Sequence, residues 1–168
     1  GKHIITSDEA IHLAEVPKSL AILGSGAVGV EFASIFRRFG SEVTVIELLP
    51  RLVPNEDVAI SAELEKAFKK RGIGVRTATK VISAKVAAGA VTIEMEHAGR
   101  TESLTIEKLL VATGRGPVTD GLGAAEAGLA LERGFVKVDS EFRTNVAGIS
   151  AIGDVITMGA GAHQQLAH

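Results

Sequence analysis

One short run and one acid have the residue types and spacing to hold a diphosphate and a sugar. The run is Gly24-Ser25-Gly26-Ala27-Val28-Gly29, and the acid is Glu47, about 20 residues further on. Each glycine has a mechanical task. Gly24 permits a tight turn out of a strand. Gly26 has no Cβ, so a pyrophosphate can approach the backbone. Gly29 lets a helix pack close to that strand. Unpaired N–H groups at the helix start, with the helix dipole, suit phosphate. A carboxylate at Glu47 suits the hydroxyls of an adenosine ribose.

The motif has this meaning only between a strand and a helix. Leu20-Ala21-Ile22-Leu23 precedes it as an apolar strand. Val28, Phe32, Ile35, Phe36 and Phe39 follow at helical spacing and predict one apolar face, with Gly40 ending the helix. Val43 and Val45 alternate with Thr44 as in a strand, and Glu47 closes it. The order is strand, glycine turn, helix, strand, acid, and the ligand it implies is a dinucleotide.

The remainder of the chain extends this unit. Residues 1–17 read as a lead-in segment. Within it Thr6 and Glu9 form a capping box for a short helix from about Ser7 to Ala14. A second helix is expected from about Glu56 to Arg71, capped by Asn55 and stopped by Gly72. Ile60, Leu64, Ala67 and Phe68 are its expected buried stripe. Ile73 to Arg76 is a third strand, which makes βαβαβ and hence a parallel sheet. The period then changes to two. Lys80–Ala87, Ala90–Glu96 and Thr101–Ile106 read as an antiparallel meander, with turns at Gly89 and Ala98-Gly99. Leu109 to Ala112 is a buried parallel strand. The expected fold class is α/β, a Rossmann-like parallel sheet with helices on both faces plus a small antiparallel β-meander. Residues 18–116 form the dinucleotide domain and 117–168 a partial flank. In that flank Gly121 to Gly134 is expected to hold one short alanine-rich helix, Phe135 to Val138 a strand, and Val146 to Asp154 a turn, a strand and an exposed acid. Phe135, Val136, Val138 and Ile149 are expected to be exposed unless they fold back or pair with a second copy, so a tail-mediated dimer is a possible partnership.

Composition removes several function classes. The chain has 168 residues, 46% hydrophobic, and a net charge of −2. That balance gives no general attraction to nucleic acid or an acidic membrane. There is no cysteine, hence no disulfide framework and no thiol nucleophile. His3, His12, His97 and His163 have no ligand spacing, so no metal site is expected. No apolar run approaches about 18 residues, so nothing reads as a membrane span. No signal peptide is visible, and a cytoplasmic location is the expectation.

Three landmarks fall in order: Gly24 to Glu31, Ala112-Thr113-Gly114-Arg115 and Ala151-Ile152-Gly153-Asp154. Together they resemble the two-dinucleotide flavoprotein disulfide oxidoreductases, and within these the dihydrolipoamide dehydrogenase branch. The resemblance covers the whole chain, with Ile5 to Ala10 and Gln165-Leu166-Ala167-His168 adding to it. It implies an enzyme that oxidises dihydrolipoamide through a disulfide and FAD and passes hydride to NAD, within a 2-oxoacid dehydrogenase complex.

The resemblance also implies roles. Gly24, Ser25, Gly26, Ala27, Val28, Gly29, Val30 and Glu31 would lie along NAD, with Glu31 toward the nicotinamide. Glu47 would hold the adenosine ribose, Val81 would line the adenine side, and Gly114 would meet the nicotinamide half. Asp154 would hold the FAD ribitol, and Leu166, Ala167 and His168 would touch the flavin. Plainer readings stand beside these. Glu31 is also a favourable charge near a helix start, Val81 is also core, and Asp154 is also a turn residue. The family's redox cysteines, its earlier FAD motif and its C-terminal dimerisation domain are not in this sequence. No catalytic residue is therefore expected here. The chain reads as a central NAD-binding piece, inactive alone and without bound FAD, whose partners are the missing domains. Two other readings share the glycine motif: another flavoprotein reductase, of the mercuric or glutathione reductase kind, and a stand-alone nucleotide-sensing regulatory domain.

Overall fold

The computed structural model describes residues 1–114 and 116–157. Two compact units are formed, Gly1–Gly114 and the residues that follow. The first contains β1 (Ile4–Ile5), α1 (Ser7–Ala10), β2 (Ser19–Leu23), α2 (Ala27–Arg38), β3 (Glu42–Ile46), α3 (Val58–Lys70), β4 (Gly74–Arg76), β5 (Thr79–Ala87), β6 (Ala90–His97), β7 (Arg100–Ile106) and β8 (Lys108–Val111).

Five of these strands form a sheet in the order β1-β8-β2-β3-β4, and every pairing in it is parallel. Such a sheet must be covered on both faces, and the strands alternate accordingly. Leu20, Ile22, Val43, Val45 and Leu110 point into one core with Ala10, Ala33, Phe36 and Phe68 of the three helices. Ala21, Ile46 and Leu109 point into the other, with Val91, Ile93, Met95 and Ile106 of the meander. The expected parallel sheet and meander are thus present, but the helices do not cover both faces as expected: α1, α2 and α3 all pack into the first core. The layer opposite the helices is the meander itself, because the route from β4 back to β8 runs through β5, β6 and β7. Its two hairpin turns, Ala88-Gly89 and Ala98-Gly99, place both residues at positive φ, which matches the twist of the strands.

Several local expectations are corrected. The lead-in supplies an edge strand, since Ile4 and Ile5 pair with Leu109 and Leu110. Helix α1 stops at Ala10 and does not reach Ala14. Helix α3 is capped by Asp57, whose carboxylate accepts from the Ala59 N–H at 2.7 Å, and not by Asn55. Its inward face runs through Ser61, Leu64 and Phe68, while Ile60 is 59% exposed and Ala67 is exposed. The phase is set by Ser61, whose hydroxyl donates to the Leu52 carbonyl at 2.6 Å. On α2 the buried residues are Gly29, Ala33 and Phe36; Ile35 and Phe39 are exposed.

The second unit holds β9 (Leu131–Glu132), β10 (Phe135–Lys137) and β11 (Ile156–Thr157), in the order β11-β10-β9. No α-helix forms in residues 116–157. Gly121, Gly123 and Gly128 take positive φ and break the alanine-rich stretch into turns. The late strand lies after Asp154 and not before it, with Ile156 in register with Val136. Val136 and Val138 are buried with Ile156 in a small cluster of this unit, so they fold back as the sequence allowed.

Candidate functional site

The site is built where β2, β3 and β8 end together. Strand β2 is flanked by β3 on one side and β8 on the other, so the chain changes direction across the sheet here. Parallel sheets bind ligands outside the carboxyl ends of strands at such a point. Gly24 leaves β2 at φ 101°, and its N–H donates to the Ile46 carbonyl of β3 at 2.9 Å. On the other side Ala112 N–H donates to Leu23 O at 2.8 Å. A Cβ at Gly24 would stand 2.5 Å from the Ala112 carbonyl oxygen. The first glycine is therefore demanded twice, by its dihedral and by the strand end beside it.

The other two glycines differ from each other. A Cβ on Gly29 would stand 2.1 Å from the Gly24 carbonyl oxygen, so only glycine lets α2 seat against the turn. Gly26 is the N-cap of α2, and a Cβ there would meet nothing within 4 Å. The space over Gly26 is open, and it faces a helix start whose first turn carries no acid. Such a start offers N–H donors and a positive dipole end to an anion.

Glu47 follows β3 and is only 8% exposed. Its Oε2 accepts from the Ser25 N–H at 2.9 Å and from the Ser25 hydroxyl at 2.8 Å. Its Oε1 accepts from the Leu49 N–H at 2.8 Å. A carboxylate has about four acceptor positions, and three are filled from within the chain. About one is left for a sugar hydroxyl. The Glu47 backbone is fixed as well, donating to Arg76 O at 2.8 Å and accepting from Thr79 N–H at 2.9 Å. The loop after Glu47 closes back over the turn. Leu52 is fully buried, and Val53 N–H donates to the Ser25 carbonyl at 3.0 Å. Arg51 donates to the Pro54 carbonyl at 2.6 Å and the Glu56 carbonyl at 3.3 Å.

The family model for pyridine nucleotide-disulphide oxidoreductases matches residues 1–168. The chain belongs to this family. A dihydrolipoyl dehydrogenase of Mycobacterium tuberculosis is 44% identical over 91% of the chain, and one of Chlorobaculum tepidum is 44% identical over 92%. The chain spans about a third of the length of these relatives, 33% in each case. Among solved structures, an HOCl-induced flavoprotein disulfide reductase from Escherichia coli superposes with a TM-score of 0.80 at 36% identity, covering 91% of this chain and 34% of that one. LpdA from Mycobacterium tuberculosis gives 0.79 at 31% identity, covering 94% and 34%.

Within this family fold, the residues singled out by sequence are only partly brought together. Gly24 to Gly29, Glu47 and Ala112 are brought together at the ends of β2, β3 and β8. Val30 is half-buried on α2 against the helix-side core, and Glu31 stands exposed one turn into that helix. Gly114 is exposed just beyond Ala112. Val81 is half-buried in β5 opposite Met95, two residues past the Thr79 that bonds Glu47. Asp154 lies in the second unit, exposed in a 3-10 turn over Gly153–Val155. Leu166, Ala167 and His168 lie outside the described residues. Among the described residues no group of three or more His, Asp or Glu could hold a metal ion, and no helix is long and apolar enough to cross a membrane.

Sequence reasoning missed the Ser25–Glu47 link and the loop tie at Val53. The only sign was a hydroxyl residue between two glycines in a chain with an acid at the next strand end, which does not reveal the contact.

Proposed function

We propose that this chain binds NAD across the ends of β2, β3 and β8, in preference to NADP. The observation that carries this reading is the buried Glu47 carboxylate fixed beside an open glycine turn. Gly24 to Gly29 and the start of α2 would take the pyrophosphate, with Glu31 and Gly114 toward the nicotinamide half and Val81 on the adenine side. Glu47 would accept from a ribose hydroxyl. A hydrogen bond to a charged acceptor contributes about 1.5–3 kcal/mol. A 2′-phosphate would instead face like charge, costing about 4 kcal/mol at 4 Å and an effective dielectric near 20. Either term favours NAD at least about tenfold. Arg51, the nearest cation in sequence, is engaged with Pro54 and Glu56 carbonyls, which supports the same preference.

The longer protein is proposed to be a dihydrolipoyl dehydrogenase, a reading supported by relatives of that name at 44% identity. NAD bound here supplies a hydride acceptor. This chain's own residues orient it, through the glycine turn at the phosphates and Glu47 at the ribose. In that protein Asp154, Leu166, Ala167 and His168 would contact FAD. The redox disulfide would come from outside these 168 residues, which contain no cysteine.

The test is a titration with NADH followed by nicotinamide fluorescence, then competition by NAD and NADP. Saturable binding is expected, with NAD competing at least about tenfold better. A chain that shows no saturable binding, or equal competition by the two, would remove this function.

A further inference from the structure

Ser25 stands inside the glycine turn, where a contact with the cofactor's phosphates would be assumed. Its side chain cannot make one here. Ser25 has no exposed surface, and its hydroxyl is spent on Glu47 Oε2 at 2.8 Å. Its N–H goes to the same oxygen at 2.9 Å, and its carbonyl accepts from Val53 N–H at 3.0 Å. All three polar groups of Ser25 therefore serve the ribose side of the site and none serves the phosphates.

We propose that Ser25 is a positioning residue for cofactor choice, its hydroxyl holding the Glu47 carboxylate where that carboxylate rejects a 2′-phosphate. This rests on the NAD reading above. Rejection by like charge depends on the carboxylate being unable to turn away. Glu47 Oε1 is already pinned by the Leu49 N–H, and Leu49 belongs to a loop tied back to Ser25 through Val53. Val53 takes a positive φ of 40°, a costly region for a β-branched residue, so the loop path is held against local preference. Removing the Ser25 hydroxyl leaves Oε2 with a single donor. The carboxylate is then held by two donors, both backbone, instead of three and turns away more readily, so a 2′-phosphate meets less resistance.

The experiment is a double-mutant cycle on the 168-residue chain. NAD and NADP are titrated by calorimetry into wild type, Ser25→Ala, Glu47→Gln and the double variant, at one salt concentration. The readout is the ratio of NADP to NAD dissociation constants. Ser25→Ala is expected to lower it by about threefold to tenfold, the loss of one charge-assisted hydrogen bond's restraint. Glu47→Gln should lower it at least as far. Adding Ser25→Ala to Glu47→Gln should change the ratio no further, because coupled residues are not additive. Ser25→Cys, slightly larger but alike in shape and only a weak donor, replaces Ser25→Ala if that variant does not fold, and is expected to lower the ratio too. A Ser25 variant that weakens both cofactors equally and keeps the ratio would overturn the proposal. So would full additivity with Glu47→Gln. If wild-type chain binds neither cofactor, the NAD reading itself has failed, and the wild-type titration shows that before any variant is considered.

Discussion

Two glycines of one motif should respond to the same substitution in opposite ways. At Gly29 an added methyl would stand 2.1 Å from the Gly24 carbonyl oxygen and 3.5 Å from Ile22 Cγ2. The first of these is backbone, fixed by the Gly24 N–H bond to Ile46 and by Ala112 beside it. Relief requires α2 to move by roughly an ångström off the sheet. Overpacking of this kind costs about 1–3 kcal/mol, and a backbone clash belongs at the top of that range. At about 4 °C per kcal/mol for a unit of this size, Gly29→Ala should melt about 12 °C below wild type. At Gly26 the added methyl meets nothing within 4 Å, and φ is −67°, which any residue adopts. The lost N-cap preference and the reduced unfolded-state entropy are each within about 1 kcal/mol and of opposite sign. Gly26→Ala should melt within about 3 °C of wild type. It should nevertheless weaken NAD at least about tenfold, since the methyl occupies the space proposed for the pyrophosphate. Calorimetric melting and NAD titration of both variants separate these roles. If Gly29→Ala melts with wild type, the close helix–turn seat is wrong. If Gly26→Ala keeps full affinity, the cradle is not over Gly26.

Glu47→Ala should lose most of the preference for NAD and also lower stability by about 2–4 kcal/mol, because three donors lose a charged acceptor; denaturant unfolding reads the second effect, and an unchanged midpoint would mean those bonds contribute little. Glu9 should anchor the first helix in a pH-dependent way. The Thr6 hydroxyl and N–H both donate to its carboxylate, at 2.6 and 2.7 Å, and hold its pKa down from 4.5 to about 2. The folded-state value is the depressed one, so this contribution is present above about pH 4.5 and is lost as pH falls toward about 2; amide exchange at Ser7–Ala10 should accelerate over that window, and flat exchange would contradict it. The chain itself should not turn over dihydrolipoamide, since it has no cysteine to accept electrons from a dithiol, and should not purify with stoichiometric flavin, since these residues hold no second Gly-x-Gly-x-x-Gly run for the FAD adenosine half; activity, or a stoichiometric flavin absorbance, in a preparation free of longer protein would refute the corresponding half.

The sheet was legible because its signals are local and redundant. Val43-Thr44-Val45, the apolar run at Leu109, and the two positive-φ turns of the meander each report their own conformation. The glycine turn was legible for the same reason, since a tight turn and a close helix seat leave few alternatives to Gly24 and Gly29. Helix phase was not. In α3 the choice between Ile60 and Ser61 turned on one tertiary hydrogen bond to Leu52, and nothing in the sequence announces that bond. Asn55 and Asp57 are equally good caps by type, and the loop that buries Leu52 decided between them. The second unit was hardest. Its short strands pair with partners up to about 20 residues away, and glycines at positive φ override the helix propensity of its alanines. At the site, Glu47 was readable from its distance to the turn. Its burial and its tie to Ser25 were not, because those belong to the loop fold rather than to spacing.

The central claim is that NAD lies over the glycine turn and against Glu47. Mapping backbone amide shifts of the isotopically labelled chain during NAD titration tests it most directly. Saturable shifts should concentrate at 24–31, 47–53 and 112–114, and NADP at equal concentration should perturb them much less. Shifts confined to other segments, or none at millimolar NAD, would contradict the account.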